Sequence, residues 1–386
     1  MNRLVETIPP SAIRAINDRK RADAIDLGLG QPLLGPAMDP LRSALSWVAQ
    51  HGCPYSPNAG FPELREAIAQ HFGYPGLDSA DSVCVTVGSQ QALYLPIKSL
   101  IDPTQHEALV ITPTFPAYQK LCHLEGVPVR EVALDPKTGF APDAQAVLQA
   151  VTERTRLVAL ASPCNPTGRV WPESELRALC RGLLALPNPP YLLSDEVYAE
   201  LYFGAERPAS PAHFYPHTLV ASSLSKSCAL TGLRLGWILG PQAAMKVMWK
   251  AHQFVVSCVD TIAQRAALEI FANPAILGQH RPHYVAQREV LLSALRQQGL
   301  SAVEPEGSFY CLIRLPEPWT QRSMDAALHI METENVVTIP SSVFGVEGFL
   351  RVTFVAEPSR IEEGVRRIRR ALLREAGSAV GVAGLC

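Results

Sequence analysis

Lys226 closes the serine-rich turn Ser223-Leu224-Ser225-Lys226, and its amine could condense with a carbonyl to form a Schiff base. Eight residues on, Arg234 in Thr231-Gly232-Leu233-Arg234-Leu235-Gly236 offers a planar fork for a phosphate or carboxylate. Upstream, Ser194-Asp195-Glu196-Val197-Tyr198 supplies a carboxylate that could hold a cationic nitrogen, with a phenol three residues later. Asn165-Pro166-Thr167-Gly168 adds an amide, and Thr112-Pro113-Thr114-Phe115-Pro116 adds an aromatic ring. In Gly88-Ser89-Gln90-Gln91, a glycine turn opens a helix whose free N–H groups and dipole favour an anion. Arg351, in the apolar run Phe349-Leu350-Arg351-Val352, has a costly burial to justify, and a carboxylate ligand would do so.

The elements that must position these groups follow from the same sequence. The glycine turn, Phe115, Asn165, Asp195 and Lys226 each come after a short apolar run, at 83–87, 108–111, 157–161, 191–193 and 218–221. Runs of this kind suit strands buried on both faces, and the intervals are long enough for crossover helices. The expected fold class is α/β, with a mostly parallel central sheet, flanking helices and a smaller α+β domain. The large domain is expected over 44–272, ending in a long helix near 242–272, and the small one over 1–43 with 273–386. In the small part, helices near 283–297 and 359–374 flank strands at 308–313 and 349–355; 1–43 reads as irregular and 375–386 as a frayed tail. Open parallel sheets bind ligands at the carboxyl ends of their strands, so five strand ends converge on one site.

A planar, phosphorylated, cationic heteroaromatic aldehyde wants that set, and pyridoxal 5′-phosphate is such a molecule. It needs an amine for its Schiff base, a carboxylate facing its ring nitrogen, donors and an arginine for its phosphate, and an aromatic neighbour for its ring. On Ser223-x-Ser225-Lys226 followed by Thr231-Gly232-Leu233-Arg234-Leu235-Gly236, with Asn165-Pro166-Thr167-Gly168 and Asp195-Glu196-Val197-Tyr198 before it, the chain resembles the class I/II aminotransferases of fold type I. The resemblance runs from about Asp26 to Val355.

The resemblance implies a cofactor and a set of roles. Lys226 would be the Schiff-base lysine and proton shuttle, Asp195 would pair with the pyridinium nitrogen, and Asn165 and Tyr198 would hydrogen-bond the cofactor's 3′ oxygen. Ser223, Ser225 and Arg234, with the backbone of Ser89 and Gln90, would hold the phosphate, and Phe115 would stack on the ring. Tyr55 in Tyr55-Ser56-Pro57-Asn58-Ala59-Gly60 resembles a tyrosine reaching the phosphate from a partner subunit, which implies a homodimer. Arg351 would clamp the substrate α-carboxylate, aided by Asn165, with Gly30 lining the mouth. The Gly-Ser-Gln-Gln turn departs from the family's usual small-residue forms, leaving its side-chain contact with the phosphate open. The implied reaction moves an amino group from an L-amino acid to a 2-oxo acid, with 2-oxoglutarate the expected acceptor.

Plainer readings stand beside these. Alone, Asp195 reads equally well as a helix N-cap, Asn165-Pro166-Thr167-Gly168 as a β-turn, and Phe115 as core. The same scaffold supports a C–S β-lyase, because the carbanion common to these reactions has several exits. A regulator that keeps the fold without turnover usually carries a DNA-binding domain, for which the residues before the first core helix leave no room. A nicotinamide-dependent oxidoreductase would need a glycine fingerprint, and Gly28-x-Gly30 before Pro32 is only a weak echo of one. Composition narrows the field further. With 34 Lys+Arg against 36 Asp+Glu among 386 residues, the chain lacks the basic excess of a nucleic-acid binder. Nine cysteines, an odd count with no C-x-x-C spacing, and histidines without ligand spacing point to reduced thiols, a cytoplasmic location and no metal. No window is apolar enough for a membrane span or a signal peptide.

Overall fold

The computed structural model describes residues 3–8, 16 and 19–374. Seven strands build the central sheet: β1 (Val83–Val87), β2 (Glu107–Thr112), β3 (Val129–Ala133), β4 (Thr155–Ala161), β5 (Tyr191–Asp195), β6 (Thr218–Ser223) and β7 (Leu235–Leu239). Their lateral order is β1-β7-β6-β5-β4-β2-β3. All run the same way except β7, which is antiparallel to both β1 and β6. The fold is therefore α/β with a mostly parallel sheet, as the apolar runs imply.

Those runs are continuous because alternate residues enter different cores. Ala108, Val110, Leu157, Ala159 and Leu193 pack on one face with Ala92, Leu95, Met245 and Met248 of the helices Gly88–Leu100 and Gln242–Val255. Leu109, Ile111, Val158, Leu160 and Leu192 pack on the other with Leu176, Leu179 and Leu183 of the helix Glu173–Leu184. Period-two alternation with both faces apolar leaves no polar positions to betray a strand. Edge strand β3, whose Arg130 and Glu131 are exposed, lacks such a run and escapes the sequence reading.

A second sheet comprises β8 (Ala302–Val303), β9 (Tyr310–Arg314), β10 (Ile339–Pro340) and β11 (Phe349–Thr353), ordered β10-β11-β9-β8 and antiparallel throughout. The helices Arg281–Gln297, Ser323–Glu334 and Pro358–Leu373 share its core through Leu291, Leu295, Ile330, Ile361, Val365 and Ile368. Ile25–Asp26 pairs with Val336–Val337, and Leu27 O accepts a 2.7 Å bond from Thr353 N, so this early segment lies against β11. It thereby carries Gly28 and Gly30 across the mouth of the central sheet.

Three expectations change. The long helix over 242–272 is two helices, Gln242–Val255 and Thr261–Ala272. Between them Ser257 has φ +70°, and the Asp260 carboxylate accepts a 2.7 Å bond from Ala263 N, capping the second helix. The stretch 1–43 is not irregular to its end, because the helix Met38–His51 starts within it and packs on Thr261–Ala272. Strands expected at 308–313 and 349–355 span Tyr310–Arg314 and Phe349–Thr353. The tail at 375–386 lies outside the described residues.

Candidate active site

A cavity of about 280 Å³ opens at the carboxyl ends of β1, β2, β4, β5 and β6. Gly30, Ser89, Gln90, Phe115, Asn165, Asp195, Tyr198, Ser225, Lys226, Arg234 and Arg351 line it, bringing eleven separately expected residues to one place. Ser223 and Tyr55 do not line it. Ser223 is buried below the cavity, where its Oγ accepts a 3.4 Å bond from Ser225 N and caps the short helix Leu224–Ser227. That bond helps to fix the turn that carries Lys226. Tyr55 is 90% exposed and reaches nothing in its own cleft.

Lys226 projects from the first turn after β6, and its Nζ donates a 2.6 Å hydrogen bond to Gly30 O. Burial pulls its pKa below the ordinary lysine value; Arg351 and Arg234 reinforce this, while Tyr310 and Asp195 oppose it. The chain therefore prepares a lysine that gives up its proton more readily than a solvated one.

Asp195 ends β5, and no helix follows it, so the capping alternative falls away. Its Oδ2 accepts a 2.7 Å bond from Tyr118 Oη and its Oδ1 a 3.2 Å bond from Val197 N. Burial raises the carboxyl pKa, whereas these two donors and Lys226 lower it. A buried carboxylate with two donors and a cleft in front of it is equipped to receive a cation.

Arg351 is 3% exposed on β11. Its Nη1 donates to Asn165 Oδ1 at 3.0 Å and its Nη2 to Gly28 O at 2.6 Å, leaving Nε without a partner. The guanidinium carbon stands 4.4 Å from the Tyr310 ring centre and 4.9 Å from that of Phe344. Among the described residues no carboxylate lies within ion-pair distance of it. A buried guanidinium held by neutral oxygens and ring faces is a receptor for an anion.

At the far end of the cavity, Gly88 has φ +69° at the start of its helix. A methyl group there would come within 2.5 Å of Arg234 Nη2, and one on Gly236 within 2.7 Å of Ser89 N. Two glycines therefore let the helix N-terminus, Ser89 and Arg234 crowd into a single cradle. Arg234 itself takes a left-handed φ of +53° and donates from Nη1 to Thr231 O at 2.9 Å. This end suits a phosphate by charge and by geometry. Phe115 is half-buried between cleft and core, so both readings of it hold in part.

Leu93, Tyr118 and Tyr310 also line the cavity without any expectation from the sequence, and Thr231 lines it from the motif that carries Arg234. Tyr118 hides on the helix Ala117–Leu124 and Tyr310 in an aliphatic strand, each resembling ordinary core. The signal was an aromatic hydroxyl at a position that aliphatic side chains could have filled. Cys164 and Cys228 are fillers; burial pushes both thiols up to about 11. No group of side chains that could hold a metal ion occurs among the described residues.

The donor set fits pyridoxal 5′-phosphate: an anion cradle, an aromatic wall, a buried carboxylate and a depressed lysine line one cavity, with an anion receptor beyond. The family model of aminotransferases of class I and II matches residues 22–368. The aspartate/prephenate aminotransferase of Thermus thermophilus is 34% identical over 387 residues, covering 97% of this chain and 99% of that protein. A probable N-acetyl-LL-diaminopimelate aminotransferase of Bacillus subtilis is 29% identical, covering 97% and 96%. Among solved structures, the Thermus thermophilus aspartate aminotransferase with maleate superposes with a TM-score of 0.89 at 33% identity, covering 96% of this chain and 99% of that one.

Proposed function

From a chain that belongs to the class I and II aminotransferase family, we propose a division of labour within one cleft for a pyridoxal-phosphate-dependent aminotransferase. The enzyme moves an amino group between an amino acid and a 2-oxo acid, and 2-oxoglutarate is the proposed acceptor. The observation that carries the reading is the approach of Lys226, Asp195 and Arg351 to one cavity, each with unmet chemical capacity.

When bound, pyridoxal phosphate supplies an electron sink for the pair left as the substrate α C–H bond breaks. The chain's own residues do the rest. Arg351, steered by Asn165 Oδ1 and Gly28 O, binds the substrate α-carboxylate through a two-point fork. Lys226 Nζ would hold the cofactor at rest, and as a free amine it would take the substrate α-proton and carry it to the carbon on the other side of the substrate nitrogen. Its burial favours the neutral, proton-accepting form. Asp195, kept in place by Tyr118, holds the ring-nitrogen proton. Tyr198 and Asn165 would donate to the 3′ oxygen. Ser225, Arg234 and the N–H groups of Ser89 and Gln90 would hold the phosphate, and Phe115 would cover the ring.

The functional unit proposed is a homodimer in which Tyr55 reaches the partner's cleft. Its 90% exposure supports this, as do the apolar exposures of Phe254 (86%) and Leu33 (67%). A cytoplasmic location is proposed on the free state of the eight cysteines among the described residues. No helix among the described residues is long and apolar enough to cross a membrane. The chain is read as two bodies, 44–272 and the remainder, supported by the separate cores under the two sheets.

One half-reaction tests the activity. An amino acid alone should bleach the visible absorbance of the loaded enzyme, and 2-oxoglutarate should restore it. Release of pyruvate and ammonia from a cysteine conjugate, with no 2-oxo acid required, would instead assign a β-lyase.

A further inference from the structure

Tyr310 stands where three functional parts of the cleft meet. It is 3% exposed at the start of β9. Its hydroxyl accepts a 2.9 Å hydrogen bond donated by the Tyr198 hydroxyl, linking the second sheet to the loop after β5. Its ring supports the Arg351 guanidinium at 4.4 Å. Gly30, whose carbonyl receives Lys226 Nζ, passes so close that a methyl group there would overlap the Tyr310 hydroxyl.

We propose that Tyr310 is a positioning residue with two separable functions: its hydroxyl donates to Tyr198 and so strengthens the hydrogen bond Tyr198 makes to the cofactor, and its ring holds Arg351 flat for the substrate carboxylate. The first function rests on the reading that Tyr198 contacts the 3′ oxygen. When the Tyr198 proton turns from Tyr310 to that oxygen, the pair reverses and Tyr310 becomes the donor, and a hydroxyl that accepts a bond becomes a better donor itself. Burial and the neighbouring Tyr310 hold the Tyr198 hydroxyl well above the ordinary tyrosine range, so it stays protonated and able to donate. The charged and titratable groups facing the pair are Asp195, Lys226, Arg351, Tyr118, Tyr284 and, through Arg351, Asp26. None replaces the missing hydroxyl when Tyr310 becomes phenylalanine.

Two variants separate the functions. In Tyr310→Phe the ring stays and the hydroxyl goes. Tyr198 then donates more weakly, more negative charge remains on the 3′ oxygen, and the proton on the adjoining Lys226 nitrogen is held more tightly. The pH midpoint of the visible absorbance change in the loaded enzyme should rise, by roughly half a unit to one unit. The dissociation constant of 3-phenylpropionate, a carboxylate without an amino group, should stay within about twofold. In Tyr310→Leu the support under Arg351 is lost as well, and that constant should rise about three- to tenfold.

Tyr198→Phe is the control. It should raise the midpoint by at least as much as Tyr310→Phe. If Tyr198→Phe raises the midpoint and Tyr310→Phe does not, the hydroxyl function is overturned. If Tyr198→Phe leaves the midpoint unmoved, the reading on which that function rests fails, and the function fails with it. Equal losses of 3-phenylpropionate binding in Tyr310→Phe and Tyr310→Leu would overturn the ring function.

Discussion

Arg351 Nη1 donates to Asn165 Oδ1 at 3.0 Å, across 186 residues of sequence. This bond joins β11 of the second sheet to the loop after β4 of the central one. It turns two residues from different sheets into one receptor, because the amide orients a guanidinium that has no carboxylate of its own. The substrate carboxylate would complete the set.

Replacing the fork tests this arrangement. Arg351→Lys keeps the charge but cannot make parallel bonds to a carboxylate while holding Asn165 and Gly28. The amino-acid KM should rise roughly 10- to 100-fold, the range of a lost charged hydrogen bond, with kcat falling much less. Steady-state kinetics with saturating 2-oxo acid check this. An unchanged KM would remove Arg351 from substrate binding.

Asp195 links activity to stability. Its folded-state pKa is raised by burial, so below the ordinary carboxylate range both states are protonated and nothing is lost. As pH rises through that range and on through the folded pKa, the unfolded state ionises first and the native state loses stability. Asp195→Asn removes the buried charge. The cofactor-free variant should melt about 1–2 °C above the native protein at neutral pH. The gap should close as pH falls toward the carboxylate range. Transamination should be abolished. Calorimetry of the two apoproteins across pH reads the effect.

The glycine at the phosphate end admits a similarly sharp test. Gly88→Ala adds a methyl group 2.5 Å from Arg234 Nη2, at a φ of +69° that side chains avoid. Cofactor affinity should drop about 10- to 100-fold, the scale of one or two displaced charged hydrogen bonds. The half-reaction of the fraction still loaded should change little. Titration of apoprotein with pyridoxal phosphate, followed by visible absorbance, separates the two.

What the sequence shows and what it hides divide on physical lines. The strand ends carrying Ser89, Phe115, Asn165, Asp195 and Lys226 were legible because each follows the short apolar run that suits a strand covered on both faces. Arg351 was legible because a cation in an apolar strand demands an anion. Tyr118 and Tyr310 were not, because a tyrosine among aliphatic residues looks like core until its hydroxyl is seen against Asp195 or Tyr198. The break between Gln242–Val255 and Thr261–Ala272 was hidden too, since apolar periodicity continues on both sides and Asp260 announces its cap only by its bond to Ala263. Ser223 carries a second signal that the motif alone did not give: its hydroxyl caps the turn that bears Lys226.

Tyr55 allows the subunit arrangement to be tested by complementation. Lys226→Ala and Tyr55→Ala subunits, each weak as homodimers, should regain activity when mixed. One cleft in each mixed dimer would then hold an intact Lys226 with Tyr55 from the other chain. About a quarter of native activity is expected from random pairing, because half the dimers are mixed and one of their two clefts is whole. Absence of any recovery in verified mixed dimers would place Tyr55 outside the partner's cleft.

The central claim is that Lys226 is the amine that holds the cofactor. Borohydride reduction of the loaded enzyme makes that link permanent, and peptide mass mapping locates it. A single pyridoxyl-modified peptide is expected, the one containing Lys226, and none from the Lys226→Ala variant. A modified peptide carrying any other lysine, with Lys226 untouched, would contradict it.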